Sequence, residues 1–227
     1  MPTEISIPNI LVRWIAIVLV FAILLFVPAG TMNWPEAWIF LGLYITFSIV
    51  VGTWMWKNNP GLLVERLHVE KRPGKGWDAA LLLAIAAFFI AIFVLAGIDV
   101  FHTHWSSLPV ITEAFGFVGI ALAWALVFLV MKENPFVSRT VQVTESQKVI
   151  SSGPYRFVRH PMYVGAIVFF LCIPIALGSL YAILPASVGA ALFVARTYME
   201  DKTLQKEFGG YKEYAKKVRY RLLPGIW

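Results

Sequence analysis

The residues best suited to chemistry fall in two polar clusters at the edges of apolar segments. The first is Gly153-Pro154-Tyr155-Arg156-Phe157-Val158-Arg159-His160-Pro161-Met162-Tyr163-Val164-Gly165, and the second is Arg196-Thr197-Tyr198-Met199-Glu200-Asp201. Spanning a membrane requires neither. His160 and Tyr163 both donate and accept hydrogen bonds. Pro161 suits the first turn of a helix, where its missing N–H costs little, so Arg159 and His160 are expected at a helix N-terminus, a favourable place for an anion. Glu200 offers negative charge to a cation. Arg196 lies four residues earlier on the same helical face and can hold an anionic group through two parallel N–H bonds. Each residue also has a plainer reading: an Arg196–Glu200 ion pair at a helix end, Arg156 and Arg159 as membrane-edge cations, and Tyr163 as an interfacial aromatic. The joint occurrence of the two clusters favours a site.

The elements that must position these residues are membrane helices. Of the 227 residues 59% are hydrophobic and only 14% charged, against roughly 25% charged in a soluble domain. Apolar segments run over about 10–28, 36–56, 78–98, 112–131, 162–177 and 180–197. The first four match the roughly 20 residues of helix that cross a bilayer core. The last two are short and meet at Gly178-Ser179, as two tight spans or one hairpin. The expected fold is therefore all-α: one integral membrane domain over 1–227, a polytopic bundle of five to six transmembrane segments. Residues 1–131 supply the N-terminal spans. Residues 132–227 supply a helical hairpin and an amphipathic tail. The long continuous apolar runs exclude a closed β-barrel, whose strands alternate.

The charges give the orientation. With six spans, all 19 Lys and Arg residues fall on one side: Arg13 at the start of segment one, five between segments two and three, five between four and five, and eight from Arg196 onward. The opposite loops, near 29–35, 99–111 and 178–179, carry none. The positive-inside rule then places both termini and both clusters in the cytoplasm of a multi-pass membrane protein. The net charge of +6 fits attraction to anionic headgroups rather than nucleic acid. Segment one is long for a signal-peptide core and is read as a retained span. Cys172, the one cysteine, is read as a packed, inert thiol. Asp99, His102 and His104 form a solvated loop on the far side, with no third ligand to complete a metal site; no metal is expected.

Several connections have their own signature. Leu62, Leu63, Arg66 and Leu67 suggest a short surface helix held to the membrane by basic residues. Val141, Val143, Val149 and Ile150 give the stretch before the first cluster an extended character. Beyond Glu200, Leu204, Phe208, Tyr211, Tyr214 and Val218 share one face at helical spacing, as in a helix that lies on the membrane or packs over the site.

Read as G-P-Y-x3-R-H-P-x-Y-x-G followed by R-x3-E-D, then Leu204, Phe208-Gly209, Tyr211, Tyr214 and Pro224, residues 134–224 resemble the C-terminal half of the isoprenylcysteine carboxyl methyltransferase family, integral-membrane enzymes that use S-adenosylmethionine and are related to phospholipid methyltransferases. The first 130 residues are similar only as a multi-span profile. The resemblance implies a cytoplasm-facing cofactor pocket near the C-terminal half. It implies cofactor contacts from Gln142, Gln147, Lys148, Val149 and Ile150, largely through backbone, and from Tyr155, His160, Pro161, Met162, Tyr163 and Glu200. It puts Arg196 at the acceptor, as the catalytic and substrate-binding residue. Asp201 stands where the family usually has Glu, and its shorter side chain makes a direct role doubtful. The expected partners are membrane lipids and a lipophilic or prenylated acceptor from the bilayer, the carboxylate of a prenylated cysteine first. Rival readings are N-methylation of a phospholipid amine, S-methylation of a small thiol, a reductase using a nicotinamide cofactor, and a non-enzymatic transporter subunit.

Overall fold

A computed structural model describes residues 7–61, 63, 75–134 and 149–227. The helices are α1 (Ile7–Ala29), α2 (Pro35–Asn58), α3 (Gly76–Ile98), α4 (Val110–Glu133), α5 (Pro161–Ala176), α6 (Ile183–Glu207) and α7 (Tyr211–Lys217). A π-helical turn, Asp99–Thr103, extends α3, and a 3-10 turn, Gly153–Arg156, precedes α5. Among the described residues there is no strand, so the all-α expectation holds.

Stretches Pro8–Ala29, Pro35–Asn58, Gly76–Thr103 and Val110–Glu133 are long and apolar enough to cross a membrane, and Pro161–Ala176 is a shorter apolar helix. At 16 residues α5 is about 24 Å long, shorter than the ~30 Å hydrocarbon core. Helix α6 has 25 residues, but from Arg196 its sequence turns polar. It therefore runs about ten residues past the apolar segment and carries the second cluster out of the bundle.

Contacts define two ends of the bundle. At one end Arg196 pairs with Asp78, Lys75 with Glu207, and Ser152 with Glu133. At the other, His102 bonds the carbonyl of Pro28 and Asp99 is bonded by Ser179. Between the ends the core is largely aromatic. Phe40 and Phe93 are fully buried, and both pack against Phe21, with Trp124, Phe169, Phe170 and Phe193 continuing toward α6. Small residues bring α4 and α5 together, as is usual where lipid tails supply no hydrophobic drive. A Cβ on Gly116 would collide with the backbone of Ala176, and one on Gly165 would lie 2.8 Å from a Val127 methyl and 3.1 Å from the Ala123 carbonyl. Cys172 sits against Gly119 in the same seam, a packed thiol as expected.

Two expectations need correction. Asp99 is not solvated: it is fully buried. It accepts hydrogen bonds from the Ser106 amide at 3.0 Å and from the Ser106 and Ser179 hydroxyls. An acid at this depth has to be surrounded by donors, and here it ties the α3–α4 loop to the α5–α6 turn. His102 and His104 are exposed, as expected. The tail is not one continuous helix. Helix α6 stops at Glu207, Gly210 takes φ +80°, and α7 begins at Tyr211; this left-handed conformation suits glycine. The predicted apolar face survives the break, because Tyr211, Tyr214 and Val218 pack with Leu204, Phe208 and Val149. The tail's apolar face thus packs over the motif region. The suggested surface helix around Arg66 and Leu67 lies outside the described residues.

Gly116→Ala is expected to cost about 1–3 kcal/mol through overpacking, seen as a lower midpoint in thermal unfolding of the detergent-solubilised protein. Gly52→Ala, with nothing within 4 Å of the added carbon, is expected to leave the midpoint unchanged or slightly raised.

Candidate functional site

The site is assembled where the first turn of α5 meets the polar half of α6. Pro161 is the first residue of α5, as its fixed φ and missing N–H favour. Immediately before it, the backbone of the Arg-His pair joins the tail: the Arg159 amide donates to the Tyr220 carbonyl at 2.9 Å and the His160 amide to the Arg221 carbonyl at 3.0 Å.

Asp201, fully buried, is the hub below this junction. It accepts from Arg159 Nε at 2.7 Å and Nη2 at 3.1 Å, from Arg221 Nε at 2.9 Å, from Gln205 Nε2 at 2.7 Å and from the Tyr211 hydroxyl at 3.0 Å. His160 Nε2 lies 3.4 Å from the same carboxylate and 3.3 Å from the Tyr211 oxygen. The remaining edge of Arg159 donates to the Val218 and Arg219 carbonyls, both at 2.8 Å. Burial pushes the Asp201 carboxyl upward, but bonds from His160, Arg159 and Arg221 outweigh it and hold the group well below the usual carboxylate range. Its short side chain fits this packed position. Asp201 therefore acts by fixing His160 and the tail, while Arg159 is a buried strut rather than a membrane-edge cation. Arg156, in contrast, is exposed.

Above the hub lie the residues able to meet a ligand. The Tyr163 hydroxyl donates to Glu200. The Tyr163 ring stacks beside His160 with centroids 5.8 Å apart and planes 6° apart. His160 Nδ1 is 3.9 Å from the other Glu200 oxygen. Among the described residues no Lys or Arg nitrogen lies within 4.0 Å of Glu200, and its side chain keeps 20% exposure. The Tyr163 bond thus holds the carboxylate in place, and the nearest charge acting on it among the described residues, that of Arg196, stays beyond ion-pair contact. Arg196 sits across the Tyr163 ring, its guanidinium carbon 5.2 Å from the centroid, within cation–π range. It is buried and pairs bidentately with Asp78 of α3, Nε to Oδ1 at 2.7 Å and Nη2 to Oδ2 at 3.3 Å.

Tyr155 closes the side toward α4. Its oxygen accepts from Asn134 Nδ2 at 3.0 Å, and its carbonyl accepts from the Tyr214 hydroxyl at 2.7 Å. Burial pushes the Tyr155 hydroxyl up to about 12; the Asn134 bond opposes this and the Glu200 charge adds to it. The group therefore stays protonated, a donor at neutral pH. Gly153 holds φ +54° with Glu133 where a Cβ would point.

The structure thus brings together Tyr155, His160, Pro161, Tyr163, Arg196 and Glu200 at one end of the bundle, and Met162 lies in the same first turn of α5. Val149 and Ile150 are non-helical, as expected, and Val149 packs under α7. Gln142, Gln147 and Lys148 lie outside the described residues. Asp78 was not foreseen. The signal was available, since a lone acid in the first turn of an apolar span is costly unless it has a partner or a function.

Known proteins resemble parts of this chain. The phospholipid methyltransferase family model matches residues 111–210, the stretch that contains both clusters, and supports the suspected methyltransferase family. Delta(14)-sterol reductase of Mus musculus is 28% identical over 91 residues, 39% of this chain. That match spans only 22% of the reductase's own length. Among solved structures, the eukaryotic intramembrane Ras methyltransferase (isoprenylcysteine carboxyl methyltransferase) is similar over 99% of this chain and 88% of its own, with 18% identity and a TM-score of 0.47.

Asp201→Asn is expected to cost about 3–5 kcal/mol, because it leaves Arg159 buried without its counter-ion. The pH dependence has a definite sign. A carboxyl held low in the folded state contributes stability that is complete above its unfolded value of about 4 and declines as the pH falls below that value. Thermal unfolding from pH 7 down to pH 3 is expected to show this decline in the wild type and to lack the Asp201 component in the variant.

Proposed function

We propose that this chain is an integral-membrane methyltransferase that moves a methyl group from S-adenosylmethionine to a lipophilic acceptor arriving from the bilayer, and that the acceptor is the carboxylate of a prenylated cysteine. The observation that carries the reading is the Glu200 carboxylate, bonded by Tyr163 beside His160 and free of ion-pair contact with any described Lys or Arg, with the Arg196 guanidinium over the ring of the same tyrosine. The donor set fits the cofactor. Glu200 suits its ammonium, and the hydroxyls and imidazole of Tyr155, Tyr163 and His160 suit its polar groups.

The cofactor supplies an electrophilic methyl group on a positively charged sulfur that leaves as a neutral thioether. The chain's task is then to hold two reactants in line and close together. Glu200, Tyr163 and His160 hold the donor side, stiffened from below by Asp201. Arg196, its guanidinium over the Tyr163 ring, holds the acceptor. A carboxylate acceptor is already ionised at neutral pH, so no general base is required. The tail packed over the Arg159-His160 junction restricts water. Lipid-facing helices on the other sides admit an apolar substituent.

A second reading is N-methylation of a phospholipid amine, favoured by the description of the matched family model. It requires a proton to leave the amine before attack.

Transfer of labelled methyl from S-adenosylmethionine to a prenylcysteine carboxylate and to phosphatidylethanolamine, assayed with detergent-purified protein, separates the two. Glu200→Ala and His160→Ala are expected to weaken binding of S-adenosylhomocysteine by about tenfold or more, as removal of a charge-assisted contact does. Arg196→Ala is expected to retain that binding while lowering turnover about a hundredfold. Loss of cofactor-product binding in the Arg196 variant would contradict this division of roles.

A further inference from the structure

We infer that Asp78 is a positioning residue for the transfer, acting through Arg196; the inference rests on the methyl-transfer reading above. Asp78 is the third residue of α3, outside the 111–210 stretch matched by the family model. Its side chain is 0% exposed and that of Arg196 is 6% exposed. Two parallel N–H bonds fix both the distance and the plane of the guanidinium. Arg196 has two further constraints in the same direction: the Tyr163 ring under its Cζ and the helical backbone that sets its root. A long flexible side chain carries substantial rotamer entropy. Asp78 removes that freedom before any acceptor arrives.

The pair also couples two regions of the chain. Asp78 and Arg196 are 118 residues apart, and Lys75 pairs with Glu207 on the same two helices. The start of α3 is thereby stitched to the polar half of α6 at a buried and at a surface point. Here the guanidinium held by Asp78 lies over the ring whose hydroxyl bonds Glu200. Asp78, Arg196, Tyr163 and Glu200 are thus linked contact by contact.

If Asp78 acts only through Arg196, its effect vanishes once Arg196 is gone. The test is a double-mutant cycle of wild type, Asp78→Asn, Arg196→Gln and the double variant. Each protein is assayed for methyl transfer to a prenylcysteine carboxylate and to phosphatidylethanolamine, and for calorimetric binding of S-adenosylhomocysteine. The expected result is a kcat lower by about tenfold or more in each single variant and no further loss in the double, with S-adenosylhomocysteine affinity within about threefold throughout. A merely structural role would lower binding and turnover together. Wild-type kcat in Asp78→Asn, losses that multiply in the double variant, or lost product binding would each overturn the inference. So would a wild type that binds S-adenosylhomocysteine yet methylates neither acceptor. Should Asp78→Asn not fold, the comparison passes to Asp78→Glu, which keeps the charge and displaces the carboxylate by one methylene. A tenfold fall in its kcat at unchanged product affinity supports the role, and an unchanged kcat overturns it. Failure of the wild type to bind S-adenosylhomocysteine at all would instead count against the methyltransferase reading itself.

Discussion

A carboxylate withdrawn from water in a chain this apolar must be met by donors on every side, and Asp201 is where that requirement organises the molecule. Two arginines, a histidine, a tyrosine and a glutamine converge on it. They come from the loop before α5, from α6, from α7 and from the segment beyond α7. Apart from the apolar part of α6, none of these elements is long or apolar enough to fix its own place against the bundle. The charge does so for all of them, because a misplaced donor would leave the acid unsatisfied at a cost of several kcal/mol. His160 and the first turn of α5 are consequently held in one geometry, and Tyr163, three residues on, inherits it.

The opposite end of the bundle obeys the same rule. Asp99 gathers Ser106 and Ser179 and so closes the α5–α6 turn against the α3–α4 loop. Between the two buried acids run α4, α5 and α6, packed through glycines and aromatic rings that permit little sliding. Pinned at both ends and tightly packed along the shaft, α5 and α6 present Tyr163, Arg196 and Glu200 as a rigid set. Preorganisation of this kind is what an in-line transfer needs, since the reactants rather than the protein do the chemistry.

Much of this was legible in the sequence, and the exceptions share a cause. Apolar run length located the shafts of the six long helices, and Pro161 marked the start of α5. The spacing from Leu204 to Val218 identified a tail face that does pack as a cluster. The break at Gly210 was not legible, because Tyr211 keeps helical spacing from Phe208 across a turn that needs a left-handed glycine. The short side chain of Asp201 made a direct role doubtful, and its indirect one was not legible: in a crowded buried position a short acid is the one that fits. Asp78 drew no reading: an acid in the first turn of an apolar span signals that a partner is needed, but not that the partner is Arg196, 118 residues away. Asp99 was taken for a loop residue for the same reason, its serine partner Ser179 lying 80 residues on. The clusters themselves were visible because several unusual residue types coincide at fixed spacing, although Arg159 proved to be a strut and Arg196 to be held from another helix.

The proposal turns on whether the site around Glu200 and Tyr163 takes S-adenosylmethionine rather than a nicotinamide cofactor, the rival reading of the sequence. The most direct measurement is isothermal calorimetry of the detergent-purified wild-type protein titrated in parallel with S-adenosylhomocysteine and with NADPH. The account predicts saturable one-to-one binding of S-adenosylhomocysteine and none of NADPH. Binding of NADPH alone by well-folded protein would contradict it and transfer the site to reductive chemistry.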